Sequence, residues 1–88
     1  MVSQKITVIN KSGIHARPAG ELVQVASKCS SEVVIRVGER SVNPKSILML
    51  MAAAIRCGTE ITVECSGETE EEDLKKLIDA IAGGLGEE

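Results

Sequence analysis

The apolar residues of this chain switch repeatedly between a period of two and a period near 3.6. The order of those periods constrains the fold more than any other feature. Val2, Ile6 and Val8, with Gln4 among them, alternate with Ser3, Lys5 and Thr7, which predicts a strand over Val2–Ile9. Asn10 to Ile14, with Ser12 and Gly13, reads as a loop. Ala19, Leu22, Val23 and Ala26 then fall on one helical stripe, and Pro18 sits in the first turn where its missing N–H costs nothing. A helix over Ala16–Lys28 follows. Gly20 inside it costs roughly 1 kcal/mol against Ala, so either packing overrides that cost or something approaches closely. Glu32–Val37 is rich in β-branched residues, and Gly38-Glu39 turns it into a short strand at Arg40–Val42. After Asn43-Pro44-Lys45-Ser46, the apolar run Ile47–Ile55 is too long and too alanine-rich for a strand. It predicts a second helix capped by Ser46 and ended by Cys57-Gly58. Leu50 and Ala54 are its expected core residues. Ile61, Val63 and Cys65 alternate with Thr62 and Glu64 as a fourth strand before Ser66-Gly67. Glu70–Ile81 closes the pattern as an amphipathic helix with Leu74, Leu77, Ile78 and Ile81 on its apolar stripe, stopped by Gly83, Gly84 and Gly86.

The order β-α-β-β-α-β-α is a split β-α-β arrangement with an extra helix. It predicts an α+β fold, an open-faced β-sandwich in which three helices cover one face of a four-stranded antiparallel sheet. The 88 residues, 43% of them hydrophobic, suffice for one domain spanning 1–88. None of them is aromatic, so the core must be aliphatic, and a single-stranded nucleic acid would find no ring to stack on. The net charge of −3 also argues against nucleic acid as a partner. The charge is unevenly spread. Residues 1 to 59 hold eight bases and three acids, a net +5, while residues 60 to 88 hold two bases and ten acids, a net −8. An acidic, solvated last helix is one consequence, and a mildly basic face able to meet an acidic partner or a phosphate is the other.

Cys29, Cys57 and Cys65 cannot all pair within one chain, none forms a C-x-x-C, and all three are expected to be buried structural thiols. With no charged segment followed by an apolar one at the start, and no apolar run of membrane-spanning length, a reducing, cytoplasmic location is expected and no membrane insertion. A zinc module built from His15, Cys29, Cys57 and Cys65 would be the alternative use of these residues. Their scattered spacing lacks the closely spaced ligand pairs of such sites, so no metal and no cofactor are expected.

The only histidine lies in Gly13-Ile14-His15-Ala16-Arg17-Pro18-Ala19-Gly20, at the head of the first helix. Backbone N–H groups at a helix start, at Ala16, Arg17 and the turn fixed by Pro18, form a site for an anion such as a phosphoryl group. The Arg17 guanidinium matches phosphate oxygens with its planar fork. The same positive field disfavours a charged imidazolium and leaves a neutral ring nitrogen as nucleophile. One nucleophile beside one anion site is suited to holding a phosphoryl group. The chain has no Gly-rich loop with Lys-Ser/Thr, no acids paired for magnesium and no second base, so it is not expected to draw phosphate from a nucleotide by itself.

Gly13-Ile14-His15-Ala16-Arg17-Pro18-Ala19 resembles the active-site signature of the HPr family, the histidine-containing phosphocarriers of the bacterial phosphoenolpyruvate-dependent sugar phosphotransferase system. The resemblance extends over the whole chain in length and element order, and Lys45-Ser46-Ile47 resembles the family's regulatory-serine motif. It implies that His15 accepts a phosphoryl group on Nδ1 from phosphorylated enzyme I and passes it to a histidine of an enzyme II A domain, with Arg17 steadying the group. It implies that Ser46 is phosphorylated by an HPr kinase/phosphorylase. That modification would slow transfer through His15 and create a docking feature for a regulator such as catabolite control protein A. It further implies a partner-docking surface at Gly20, Ile47, Leu48 and Met51, and a monomeric carrier that is not itself an enzyme. A nitrogen-related carrier of the same fold would use His15 identically in a regulatory cascade; Lys45-Ser46-Ile47 favours the sugar branch. The chain departs from the common pattern at Gly20, where Ala or Thr is usual, at Ala54, where many relatives have Gly, and at Cys57, a commonly basic position.

Overall fold

The computed structural model describes residues 1–86; the last two acids of the acidic C-terminal third, Glu87 and Glu88, lie outside the described residues. The elements follow the order read from the periodicities: β1 Val2–Thr7, α1 Ala16–Ser27, β2 Glu32–Val37, β3 Arg40–Val42, α2 Ile47–Ala52, β4 Glu60–Ser66 and α3 Glu70–Ala82. They form one four-stranded sheet in the order β1-β4-β2-β3, antiparallel at every pairing. Val2 lies opposite Cys65 and Ile6 opposite Ile61, while Val33 faces Cys65 and Ile35 faces Val63 across the other side of β4. Register and pleat therefore bring Ile61, Val63, Cys65, Val33 and Ile35 to one face, where all five are buried. Thr62 and Glu64 alternate to the other face, where the Arg36 Nε donates to Glu64 at 2.8 Å.

The helices cover the apolar face. α3 lies against β1 and β4, and α1 packs beside both α3 and α2. Leu22, Ala19 and Ala26 from α1, Leu50 from α2, and Leu77 and Ile81 from α3 are fully buried there. Each large aliphatic side chain so placed contributes about 1.5–3 kcal/mol of transfer free energy, so a core without rings still holds the layers together.

β1 and α2 end two and three residues short of the sequence expectation, and the ends of α1 and α3 shift by one residue. β1 stops at Thr7 and not at Ile9, because Val8 exchanges backbone bonds with the turn before β4. Its N–H donates to the Thr59 carbonyl at 2.9 Å and its carbonyl accepts from Gly58 at 2.8 Å. Val8 is buried, and Ile9 swings out to 58% exposure. α2 ends at Ala52 and not at Ile55, since Ala54 adopts a left-handed φ of +50°. The expected core role of Ala54 is thereby corrected: Ala53 and Ile55 are buried, and Ala54 is exposed. Past α3, Leu85 folds back as a buried residue among the terminal glycines, its N–H reaching the Ala80 carbonyl at 3.0 Å.

The first turn of α3 is not a uniformly solvated acidic face. Asp73 is buried and accepts hydrogen bonds from the Ser31 backbone N–H at 3.1 Å, the Ser31 hydroxyl and the Thr69 hydroxyl at 2.8 Å. The Ser31 hydroxyl foremost, with Thr69, holds its carboxyl below the usual carboxylate range against the opposing effect of burial. Asp73 thus ties the turn that leads into β2 to the start of α3.

Candidate functional site

His15 sits at the end of a loop clasped from three sides. The Ile14 N–H donates to the Ile55 carbonyl at 2.8 Å, the Gly13 N–H closes a turn onto the Asn10 carbonyl at 2.8 Å, and the Asn10 side-chain amide donates to the Gly84 carbonyl at 2.7 Å. Gly13 is required here. Its φ is +71°, and a Cβ at that position would stand 2.1 Å from the Ile55 oxygen and 2.8 Å from the Arg56 Cα. The loop therefore lies directly on the backbone that follows α2.

His15 is the N-cap residue of α1, with extended φ and ψ of −92° and −164°. Its carbonyl accepts from the Ala19 N–H at 2.8 Å. Its imidazole is not the capping group and is exposed, together with Ala16 and Arg17. The amides of Ala16 and Arg17 precede the first intrahelical bond, at the positive end of the helix dipole. Pro18 is fully buried, so it shapes the first turn through packing and offers no contact to a ligand. Arg17 lines an open concavity of about 500 Å³ together with Lys11, Ser12 and the terminal glycine turn at Gly84 and Gly86. His15 lines a neighbouring open space of about 270 Å³ with Ser12, Met51, Ala54 and Arg56. Ser12, Lys11 and Arg56 were not singled out by the sequence. Arg56 is 41 positions from His15, and only the clasp of Gly13 onto Ile55 and Arg56 brings the two together.

Ser46 caps α2 as expected: its Oγ accepts from the Met49 N–H at 3.3 Å, and its backbone is extended. Beside it, Lys45 directs its ammonium to the carbonyls of Cys29 and Ser31, both at 3.3 Å. Ile47, Leu48 and Met51 are exposed, Leu48 at 77%, and Met49 joins them, while Leu50 turns into the core. Met51 reaches the space that holds His15, so the apolar patch and the histidine form one continuous surface. Gly20 is half-buried, and no described residue comes within 4 Å of where a Cβ would stand, so no close approach among the described residues explains it.

The three cysteines separate into two environments. Cys29 and Cys65 are buried; burial pushes the Cys65 thiol up to about 11, and burial followed by the charge of Asp73 raises Cys29. Cys57 is exposed, contrary to the expectation of three core thiols, because the chain leaves α2 early and turns at Cys57-Gly58 on the surface. Among the described residues no three His, Cys, Asp or Glu side chains gather in a metal-holding arrangement. No helix among the described residues is long and apolar enough to cross a membrane.

Residues 2–83 match the family described as the PTS HPr component phosphorylation site. The chain belongs to the HPr family of phosphocarrier proteins. It is 42% identical over 87 residues to the phosphocarrier protein HPr of Neisseria meningitidis, covering 99% of this chain and 98% of that one. It is 46% identical over 77 residues to the HPr-like protein Crh of Bacillus subtilis, covering 88% of this chain and 91% of that one. A crystal structure of HPr from Thermoanaerobacter tengcongensis superposes with a TM-score of 0.94 at 40% identity, covering 100% of this chain and 99% of that one. The four-stranded antiparallel sheet with three helices is thus the fold of this family. A second structure from that organism is of an HPr dimer, at a TM-score of 0.78, 39% identity, and coverage of 99% and 100%. Dimers therefore occur among relatives of this chain, and a monomer is not a general property of its fold.

Proposed function

We propose that this chain is a single-domain carrier of the sugar phosphotransferase system whose His15 is the phosphoryl acceptor. The observation that carries this is the placement of one exposed imidazole at the head of α1, next to two amides outside the helix ladder and the Arg17 guanidinium. The neutral ring attacks the phosphorus of phosphohistidine on enzyme I with its Nδ1 lone pair. The new N–P bond forms as the donor's N–P bond breaks, and the released electron pair stays on the donor's ring nitrogen. The reverse exchange delivers the group to a histidine of an enzyme II A domain. Arg17 and the amides of Ala16 and Arg17 hold the transferring oxygens. No bond is hydrolysed and the carrier is regenerated only by its partners, so it is not an enzyme.

In this function the exposed face of Ile47, Leu48 and Met51, with the surface at Gly20, receives partners in the cytoplasm. Methionine suits a surface shared by several partners because its side chain adapts its shape. The carrier works as a monomer here, with the apolar face of α2 turned to partners and not to a second copy. The test is incubation with phosphoenolpyruvate and enzyme I. Acid-labile phosphate is expected on wild type and not on His15→Ala, and equal labelling of the two refutes the carrier function.

A regulatory role at Ser46 is favoured by a second observation, the similarity to Crh together with the half-buried N-cap position at the start of α2. A kinase of the HPr kinase/phosphorylase type would transfer the γ-phosphoryl group of ATP to Ser46 Oγ, releasing ADP and the hydroxyl proton. The added charge is tolerated at a helix start. It also stands beside the patch that meets partners, where it would slow transfer and offer a feature to a regulator such as catabolite control protein A. Mass spectrometry after incubation with kinase and ATP is expected to place one phosphate on Ser46, and an unmodified Ser46 removes this role.

A further inference from the structure

The cations near His15 line two adjoining spaces. Lys11 and Arg17 line the larger concavity, toward the terminal glycine turn. Arg56 lines the smaller one, which His15 itself lines. Ser12 belongs to both walls, so the two spaces meet at the loop that carries the histidine. We propose that Arg56 is a second phosphoryl-binding cation, which engages the group on His15 from the smaller space. This rests on His15 being the phosphoryl acceptor and assigns a further residue to that site.

Three observations support it. The backbone of Arg56 is fixed relative to His15: Gly13 packs where a Cβ would come within 2.8 Å of the Arg56 Cα, Ile14 bonds to Ile55, and the Arg56 carbonyl accepts from Thr59 at 3.1 Å. The guanidinium is exposed, and no carboxylate among the described residues pairs with it. The shared space of about 270 Å³ is open and large enough to admit a phosphoryl group between the imidazole and the guanidinium. A guanidinium presents paired N–H donors that a phosphate oxygen pair accepts, and Lys offers only a point charge. Among the described residues, the charged groups around this spot are Lys11 from the loop, Arg17 and the more distant Glu21 from α1, and Arg56 from the segment before β4. Phosphohistidine here would therefore meet cations from three parts of the described chain: Lys11, Arg17 and Arg56.

The test uses the intact chain and potassium phosphoramidate, which phosphorylates an imidazole with release of ammonia and needs no protein partner. The phosphorus resonance of phosphohistidine is followed against pH for wild type, Arg56→Ala, Arg56→Lys and Arg17→Ala. A nearby guanidinium favours the dianionic phosphoryl group, so its removal raises the pH midpoint. The expected upward shift for Arg56→Ala is about 0.3–1 pH unit, with Arg56→Lys recovering most of it. Thermal melts of the variants, expected to match wild type because Arg56 is exposed, exclude a structural cause. A midpoint for Arg56→Ala equal to that of wild type overturns the proposal. So does slowed transfer from enzyme I with an unmoved midpoint, which would assign Arg56 to the partner and not to the phosphoryl group. Failure of enzyme I to label wild type would refute the carrier function instead, and the chemically phosphorylated protein would still report on Arg56.

Discussion

Replacing Gly13 with Ala tests the clasp that builds the site. The new Cβ would lie 2.1 Å from the Ile55 oxygen, 2.8 Å from the Arg56 Cα and 3.0 Å from the Ile55 carbonyl carbon. All three are backbone atoms, so no flexible side chain can give way. The left-handed φ of +71° adds about 1–2 kcal/mol for any residue with a Cβ. Relieving the overlap requires the loop to lift off, which breaks the Ile14 to Ile55 bond of 2.8 Å and leaves the N–H of a buried residue unsatisfied, at about 1–3 kcal/mol. The expected loss is about 3 kcal/mol. In a domain of this size that lowers Tm by roughly 12–24 °C. The melt is followed by far-ultraviolet circular dichroism, since the chain has no Trp or Tyr to report by fluorescence. Gly38→Ala is the internal control. Gly38 also has a positive φ, +61°, but open space around it, so only the conformational cost applies, about 1–2 kcal/mol. The difference between the two variants isolates the collision with the Ile55 and Arg56 backbone. Equal destabilisation in both, or a Gly13→Ala variant melting within about 2 °C of wild type, would refute the clasp.

At Ala54 the opposite sign is expected: Ala54→Gly relieves the φ of +50° at an exposed position and, after the unfolded-state entropy of glycine, raises stability by about 0.5–1 kcal/mol in the same melt. Lowered stability there would show that the Ala54 backbone is not strained. A thiol-specific reagent at neutral pH should modify Cys57 rapidly in the native protein, with Cys29 and Cys65 reacting only after unfolding, because burial holds both thiols protonated. Rapid reaction of two or three thiols in the folded state would contradict this. Asp73→Asn should cost about 1–3 kcal/mol at pH 7, by weakening the bonds from Ser31 and Thr69. Because the Asp73 carboxyl is held below its ordinary value, its contribution is present above about pH 3.9 and is lost as pH falls through the lower folded value. Urea titrations from pH 7 to pH 3 should show the gap between wild type and variant closing on acidification, and a constant gap would argue against an ionised Asp73.

Element type and order were legible because periodicity is local: each strand and helix carries its own pattern of buried positions. The site's nucleophile was legible for a related reason, since His15, Arg17 and Pro18 are contiguous and the helix start between them is itself a local signal. What could not be read was set by contacts across the chain. Ala54 carries no turn signal, and its left-handed conformation follows from Ile55 being drawn under the His15 loop. Asp73 looks like its acidic neighbours Glu70, Glu71 and Glu72, and only a serine 42 positions away explains its burial. Arg56 lies beside His15 through a fold contact that leaves no trace in spacing. Leu85, between two glycines, reads as part of a tail until its backbone bond to Ala80 is seen.

The bond between Asn10 and Gly84 has a consequence for how much of the chain the site needs. The loop that presents His15 is completed by residues 55, 59 and 84, each more than forty positions along the chain from the residue it bonds. β1 and the strand it pairs with, β4, are more than fifty residues apart in the chain. Shortening the chain before residue 84 removes the Asn10–Gly84 bond and leaves the Ile14–Ile55 bond to hold the loop. The His15 site is thus made from contacts that span residues 10 to 84, and a local fragment around His15 does not contain them.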